Sequence, residues 1–168
     1  LPGGYNAVWT QRWMDIVTSC RATLDAYTRE TGHSMTLALD LGADIAFYNK
    51  PLLNFLNAPD SPVDYIALMN YYDNRPNQID QPSFFFGWHD GEAMTGGVEQ
   101  SLALWTHIPL VFGLEVNPLP SAYNFMTLQE EGHRATFSVI DALMTNYRRS
   151  RMMGYAIHFW GGYIALQP

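Results

Sequence analysis

The sequence predicts an α/β fold made of successive strand–helix units, and three observations predict it. Apolar runs of strand length alternate with segments of helical periodicity, the order that gives parallel strands joined by crossover helices. The strand runs are nearly continuous in apolar residues, as in a covered parallel sheet. Each run then closes on polar or aromatic residues: Asp40 and Asp44, Asn70 to Asn74, Glu115 and Asn117, His158 and Trp160. In parallel sheets and barrels, that end of the strands carries the site.

The elements follow in order. Residues 6 to 30 place Trp9, Trp13, Ile16, Val17, Cys20, Leu24 and Tyr27 at helical spacing, and Gly32 supplies the stop. "MTLALDLGADIA" (35 to 46) is the first strand. "NKPLLNFLN" is helical after Pro51, and "APDSP" breaks it. "VDYIALMNYYDN" (63 to 74) is the second strand. Residues 75 to 96 form a long loop, too aromatic for disorder and of a length that is usually functional. A helix spans roughly Val98 to Trp105, and "IPLVFGLEVN" (108 to 117) is the third strand. "TLQE" (127 to 130) has capping-box form. The helix it opens runs to about Arg149 on a stripe of Thr136, Ile140, Leu143, Met144 and Tyr147. "MGYAIHFWGGYIAL" (153 to 166) is the fourth strand and the start of the next element.

Four units are half of an eight-stranded (β/α) barrel, which takes about 250 residues, whereas this chain has 168. The expectation is therefore a half-barrel fragment of four βα units, a single α/β domain over 1–168. A half barrel leaves two open sheet edges. The chain is thus expected to be the C-terminal half of a longer protein or to pair with another chain. The competing fold, an open doubly wound sheet, lacks the G-x-G-x-x-G turn of a dinucleotide site. No internal repeat or low-complexity tract is apparent.

Composition narrows the partners. A net charge of −7 and no basic cluster beyond "YRRSR" (147 to 151) exclude nucleic acid, which needs accumulated positive field. "YRRSR" itself reads as positive charge suited to a helix C-terminus. One cysteine, Cys20, rules out an internal disulfide framework and a cysteine-based zinc site. On an apolar helix face it is expected to be buried and inert. No apolar run approaches the ~18 residues of a membrane span, and no signal peptide is visible. The compartment stays open, with a secreted or periplasmic setting compatible. Aromatic residues make up 14% of the chain, enough both to fill a core and to furnish stacking platforms.

"VDYIALMNYYDN" resembles the sixth strand of chitinase-like glycoside hydrolases (family 18), whose pattern is D-x-I-x-x-M-x-Y-D. Asp64, Ile66, Met69 and Tyr71 match it, and the final Asp is displaced by one, to Asp73 behind Tyr72. "MGYAIHFWGG" resembles that family's eighth strand, where a Gly leads to a Trp that floors the sugar site. The spacing is longer here, so His158 or Trp160 could take that place. "VFGLEVN" followed by "GYAIHFWGGY" is also similar to the last two strands of uncharacterised bacterial barrel proteins described only as glycosidase-like. The resemblance covers roughly residues 34 to 166. It implies a TIM-barrel glycosidase acting on a poly- or oligosaccharide, with no cofactor. The family's D-x-x-D-x-D-x-E signature is absent, so its general acid would lie upstream of Leu1. Glu115 is not that acid.

The candidate residues follow. Glu115 closes an apolar strand, where a carboxylate is paired, hydrated or held protonated by burial. The last state suits a general acid; a structural ion pair or a solvated loop position is the bland reading. Asp73 and Asp40 are its candidate catalytic partners, because glycoside hydrolysis needs two carboxyls. Asp40 could face either side of its strand. Asp44 reads better as a turn or cap residue. Tyr71, Asn70, Asn117 and His158 are candidates for hydrogen bonding a sugar, and Trp160 and Trp88 for stacking on it. His158 and Trp160 lie at i, i+2 on the fourth strand, hence on one face. Trp88, His89 and Asp90 wall a subsite or pack their loop down. Gly113 permits close approach inside a barrel. His133 is a packing or surface residue, and His33 and His107 sit at helix ends. No metal is expected, since no H-x-H or H-x-x-x-H spacing occurs. Two alternatives remain open: a catalytically inactive carbohydrate-binding barrel or scaffold, and a metal-dependent barrel hydrolase.

Overall fold

The computed structural model describes residues 6–42, 45–69, 98, 101–118, 128–129, 132–148, 150–158 and 160–166. Helix α1 is Ala7–Thr31. Asn6 caps its start by accepting from the Trp9 N–H, and Gly32 ends it in the left-handed region at φ 74°. Strand β1 is Ala38–Gly42, followed by the short helices α2 (Ile45–Tyr48) and α3 (Lys50–Leu56). Pro51 lies in the first turn of α3, where its missing N–H costs nothing. Strand β2 is Tyr65–Met69 and strand β3 is Leu110–Glu115. Helix α4 is Gly132–Tyr147, strand β4 is Met152–His158, and α5 is Trp160–Ala165. Residues 101 to 104, just before β3, are also helical.

The strands form one sheet in the order β1-β2-β3-β4, with every pair parallel. The fold class is α/β, as expected. Among the described strands the order is sequential and shows no reversal of direction. The two sheet faces differ. Leu41, Ile66, Leu68, Leu110, Phe112 and Leu114 are buried and join Val17, Leu52, Leu53, Leu56, Val139 and Leu143 of the helices in one hydrophobic cluster. Each such side chain contributes about 1.5–3 kcal/mol on leaving water. The other face carries glycines, alanines and Asp40 alongside Val111 and Met69, in rows across the strands. Asp40 pairs with Ala67, Ala67 with Val111, and Val111 with Gly154. One pleat further on, Gly42, Met69, Gly113 and Ala156 align.

Polar ties fix the helices to the strand starts. Asp64 accepts from the Leu37 N–H at 2.7 Å and from the Arg21 guanidinium at 2.8 Å, holding α1 against the beginning of β2. Arg151 donates to the carbonyls of Trp105 and Leu102, at 2.9 and 2.5 Å. Arg151 of the basic run thus serves the carbonyl end of the 101–104 helix.

Several expectations are corrected. The first strand stops at Gly42, and Ile45 and Ala46 open α2; a short apolar run does not by itself separate strand from helix. Helix α4 begins at Gly132, beyond the "TLQE" box, whose Thr127 and Glu130 lie outside the described residues. Cys20 is exposed, not buried. The stripe assigned to α1 splits: Val17 is buried, while Trp9 and Ile16 are 67% and 61% exposed and stay outside the core. Finally, the fourth strand ends at His158 and Trp160 starts a helix, so the two do not share a strand face.

Candidate functional site

The sheet brings Glu115 and His158 side by side. They are direct register partners on β3 and β4. The His158 Nδ1 lies 2.6 Å from the Glu115 Oε2. With a carboxylate as acceptor, Nδ1 is the donating nitrogen and the neutral ring's acceptor is Nε2. The second carboxylate oxygen, Oε1, accepts the Asn117 backbone N–H at 2.7 Å. The Glu115 main-chain carbonyl accepts from the Leu128 N–H at 2.8 Å. Glu115 is therefore held at three points, and its side chain is 7% exposed against 57% for His158.

A β-bulge creates this pairing. Leu110 pairs with Met152, but Val111 pairs with Gly154, so Met153 is the extra residue. Without that extra residue, Glu115 would face Ile157 and His158 would turn to the core face. The bulge lets Met152 stay buried among core residues while His158 points to the other face.

Asp40 reaches the same face from β1. Register alone settles what its sequence context left open, because Asp40, Ala67 and Val111 form one row and Glu115 lies two strand pleats beyond Val111. A cleft of about 220 Å³ lies here. It is lined by Asp40, Ala67, Leu68, Met69, Gly113, Ala156, Ile157 and His158. Small side chains leave the space open: a larger residue at Ala67, Gly113 or Ala156 would fill it. Glu115 is not among the described lining residues; it sits behind His158. Gly113 lies in the floor, where the sequence placed a close approach.

The rim is closed by α5. A Cβ on Gly162 would come 2.3 Å from the Val116 carbonyl oxygen, so α5 packs directly on the backbone that carries Asn117. Beside it, the His133 ring lies 5.5 Å from the Tyr163 ring and 6.1 Å from Phe137, which is the packing role expected of His133. His107 is exposed and its N–H donates to the Asn57 side chain at 2.8 Å.

Of the sequence-predicted residues, the fold brings together Asp40, Glu115, Asn117 and His158. Asn117 enters through its backbone N–H. Asn70, Tyr71, Asp73 and Trp88 lie outside the described residues, as do Asp44, His89, Asp90 and the side chain of Trp160. Ala67 and Ala156 are cleft residues that the sequence reading did not single out, and Met69, one of the residues matching the family pattern, lines the cleft as well.

Chemically, the site offers an imidazole oriented by a buried carboxylate, a second carboxylate three strands away along the same cleft, and small side chains between them. No group of three or more His, Cys, Asp and Glu able to hold a metal ion occurs among the described residues. No described helix is long and apolar enough to cross a membrane. Compared with known proteins, the chain matches no family model and no curated protein.

Proposed function

We propose that the chain is the C-terminal half of a (β/α) barrel and that it hydrolyses glycosidic bonds in a poly- or oligosaccharide at the C-terminal ends of its strands. The observation that carries this reading is the convergence of Asp40, His158 and the Glu115 behind it on the small-residue face of a sequentially ordered parallel sheet. Sequential right-handed crossovers would put the helices on one side, and in a barrel wall wound this way the small-residue face would turn to the lumen. Glycoside hydrolysis draws on acid and base groups flanking one bond. Asp40, together with the Glu115–His158 pair, supplies acid–base groups in one cleft. Asp73 is the candidate third carboxyl by its resemblance to the family pattern. Met69 gives an apolar surface for the C–H face of a ring.

Among the described residues, no further strand pairs with the β1 and β4 edges. Four more βα units would close the barrel across these edges. For the 168-residue chain by itself we propose a second copy in that role, with β4 of each copy extending β1 of the other.

The test is turnover of chromogenic glycosides and of chitin- and glucan-type polymers by the protein encoded by the full reading frame. Glu115→Gln and Asp40→Asn are each expected to lower turnover at least tenfold with the fold retained, within the ~10²–10⁴ that acid–base groups supply. Sugar binding without turnover in the wild type would favour the inactive carbohydrate-binding barrel. Activity lost to chelators would favour the metal-dependent hydrolase.

A further inference from the structure

We propose that His158 is the group that exchanges a proton with the ligand, and that Glu115 is a positioning residue acting through it. This rests on the reading of the site as a ligand-binding strand-end cleft and deepens it.

Three observations lead there. Both Glu115 oxygens are already engaged, by the Asn117 N–H at 2.7 Å and the His158 Nδ1 at 2.6 Å. The carboxylate is nearly sealed while the imidazole is more than half exposed, and only His158 of the two is a described lining residue of the cleft. The Met153 bulge sets the face of His158 without disturbing the core pairing of Met152. Bulges recur next to active sites, where they re-aim a side chain.

The chemistry follows. Imidazole is the side chain that gains and loses a proton near neutral pH. With Nδ1 donating to Glu115, Nε2 is the nitrogen able to accept a proton from a ligand hydroxyl or a water. The proton leaves that oxygen for Nε2, the bonding pair stays on the oxygen, and the imidazolium charge is balanced by the adjacent carboxylate. The proton returns by the same route. Glu115 makes no ligand contact in this scheme; it fixes the tautomer and the ring orientation.

Two experiments test it on the full-reading-frame protein. The first is long-range ¹H–¹⁵N correlation of the histidine rings without substrate. The wild type is expected to show His158 protonated at Nδ1, and Glu115→Gln to shift the ring toward the Nε2–H tautomer. A wild-type His158 protonated at Nε2, or a tautomer indifferent to Glu115→Gln, overturns the proposal even if no glycoside is turned over. The second is a double-variant cycle on turnover. His158→Ala is expected to lose about a hundredfold or more. The His158→Ala/Glu115→Gln double variant should lose no more than His158→Ala alone, and Glu115→Asp should recover part of the Glu115→Gln loss. Multiplicative losses, or full activity in His158→Ala, would return the catalytic role to Glu115 itself. Failure of every glycoside overturns the assigned reaction alone, because the tautomer measurement judges the pair independently.

Discussion

Gly162→Ala is the most exposed prediction of how the site is supported. The new Cβ would meet the Val116 oxygen at 2.3 Å, the Val116 carbonyl carbon at 2.9 Å and the Asn117 Cα at 3.1 Å. All three are backbone atoms, so no side chain can swing aside. A carbon–oxygen contact settles near 3.3 Å or beyond, so α5 and the Val116–Asn117 segment must part by about 1 Å. Overpacking of this kind costs about 1–3 kcal/mol, and better helix propensity offsets at most ~1 kcal/mol of it. The net is a loss of about 1 kcal/mol, or ~2–4 °C in Tm for a chain of this size. The displaced segment carries the N–H that holds Glu115 Oε1, so turnover should fall along with stability. Gly154→Ala is the control, since its Cβ would meet nothing within 4 Å. Thermal and urea unfolding of both variants give the answer. A Gly162→Ala protein as stable as the wild type would show that α5 does not rest on this backbone.

Other predictions follow from the same geometry. Leu114→Ala removes a fully buried strand residue one position before Glu115 and should cost about 2–5 kcal/mol in urea unfolding; a loss under 1 kcal/mol would mean the core face is misassigned. Asp64→Asn weakens a half-exposed tie to Arg21 while leaving an oxygen for the Leu37 N–H, so a loss of about 1 kcal/mol or less is expected in the same assay, and several kcal/mol would contradict it. The 168-residue chain should exceed monomer mass in light scattering, because its β1 and β4 edges, without a further strand among the described residues, offer unpaired backbone groups to a second copy. A monodisperse wild-type monomer would refute pairing of copies.

Much of the fold is legible because apolar periodicity is a local signal. The α1 repeat, the alternation of strands and helices, and the "VFGLE" strand ending on its carboxylate all follow from it. What pairs across strands is not local. Asp40 could face either way until its register with Ala67 fixed it, and Glu115 could have met Ile157 had Met153 not been bulged. The nineteen-residue stripe from Trp9 to Tyr27 reads as one face because adjoining arcs of a helix blur at this spacing; which arc packs depends on where α3 and the strands lie. The apolar run "FWGGY" predicts a strand through Trp160, yet its glycines allow α5 to turn back onto Val116. The buried role of Glu115 behind His158 is likewise a product of pairing, invisible in "GLEVN" alone.

The central claim is that the small-residue face at the strand ends binds a saccharide. Methyl NMR with labelled Met and Ala reports on it directly, because Met69 and Ala156 line the cleft whereas Met153 lies at the other end of β4 and Met14 on α1. Titration of the full-reading-frame protein with chitin- and glucan-type oligosaccharides should shift the Met69 and Ala156 methyls together and leave Met14 and Met153 in place. Shifts confined to Met14 or Met153, or none with any oligosaccharide, would contradict the claim.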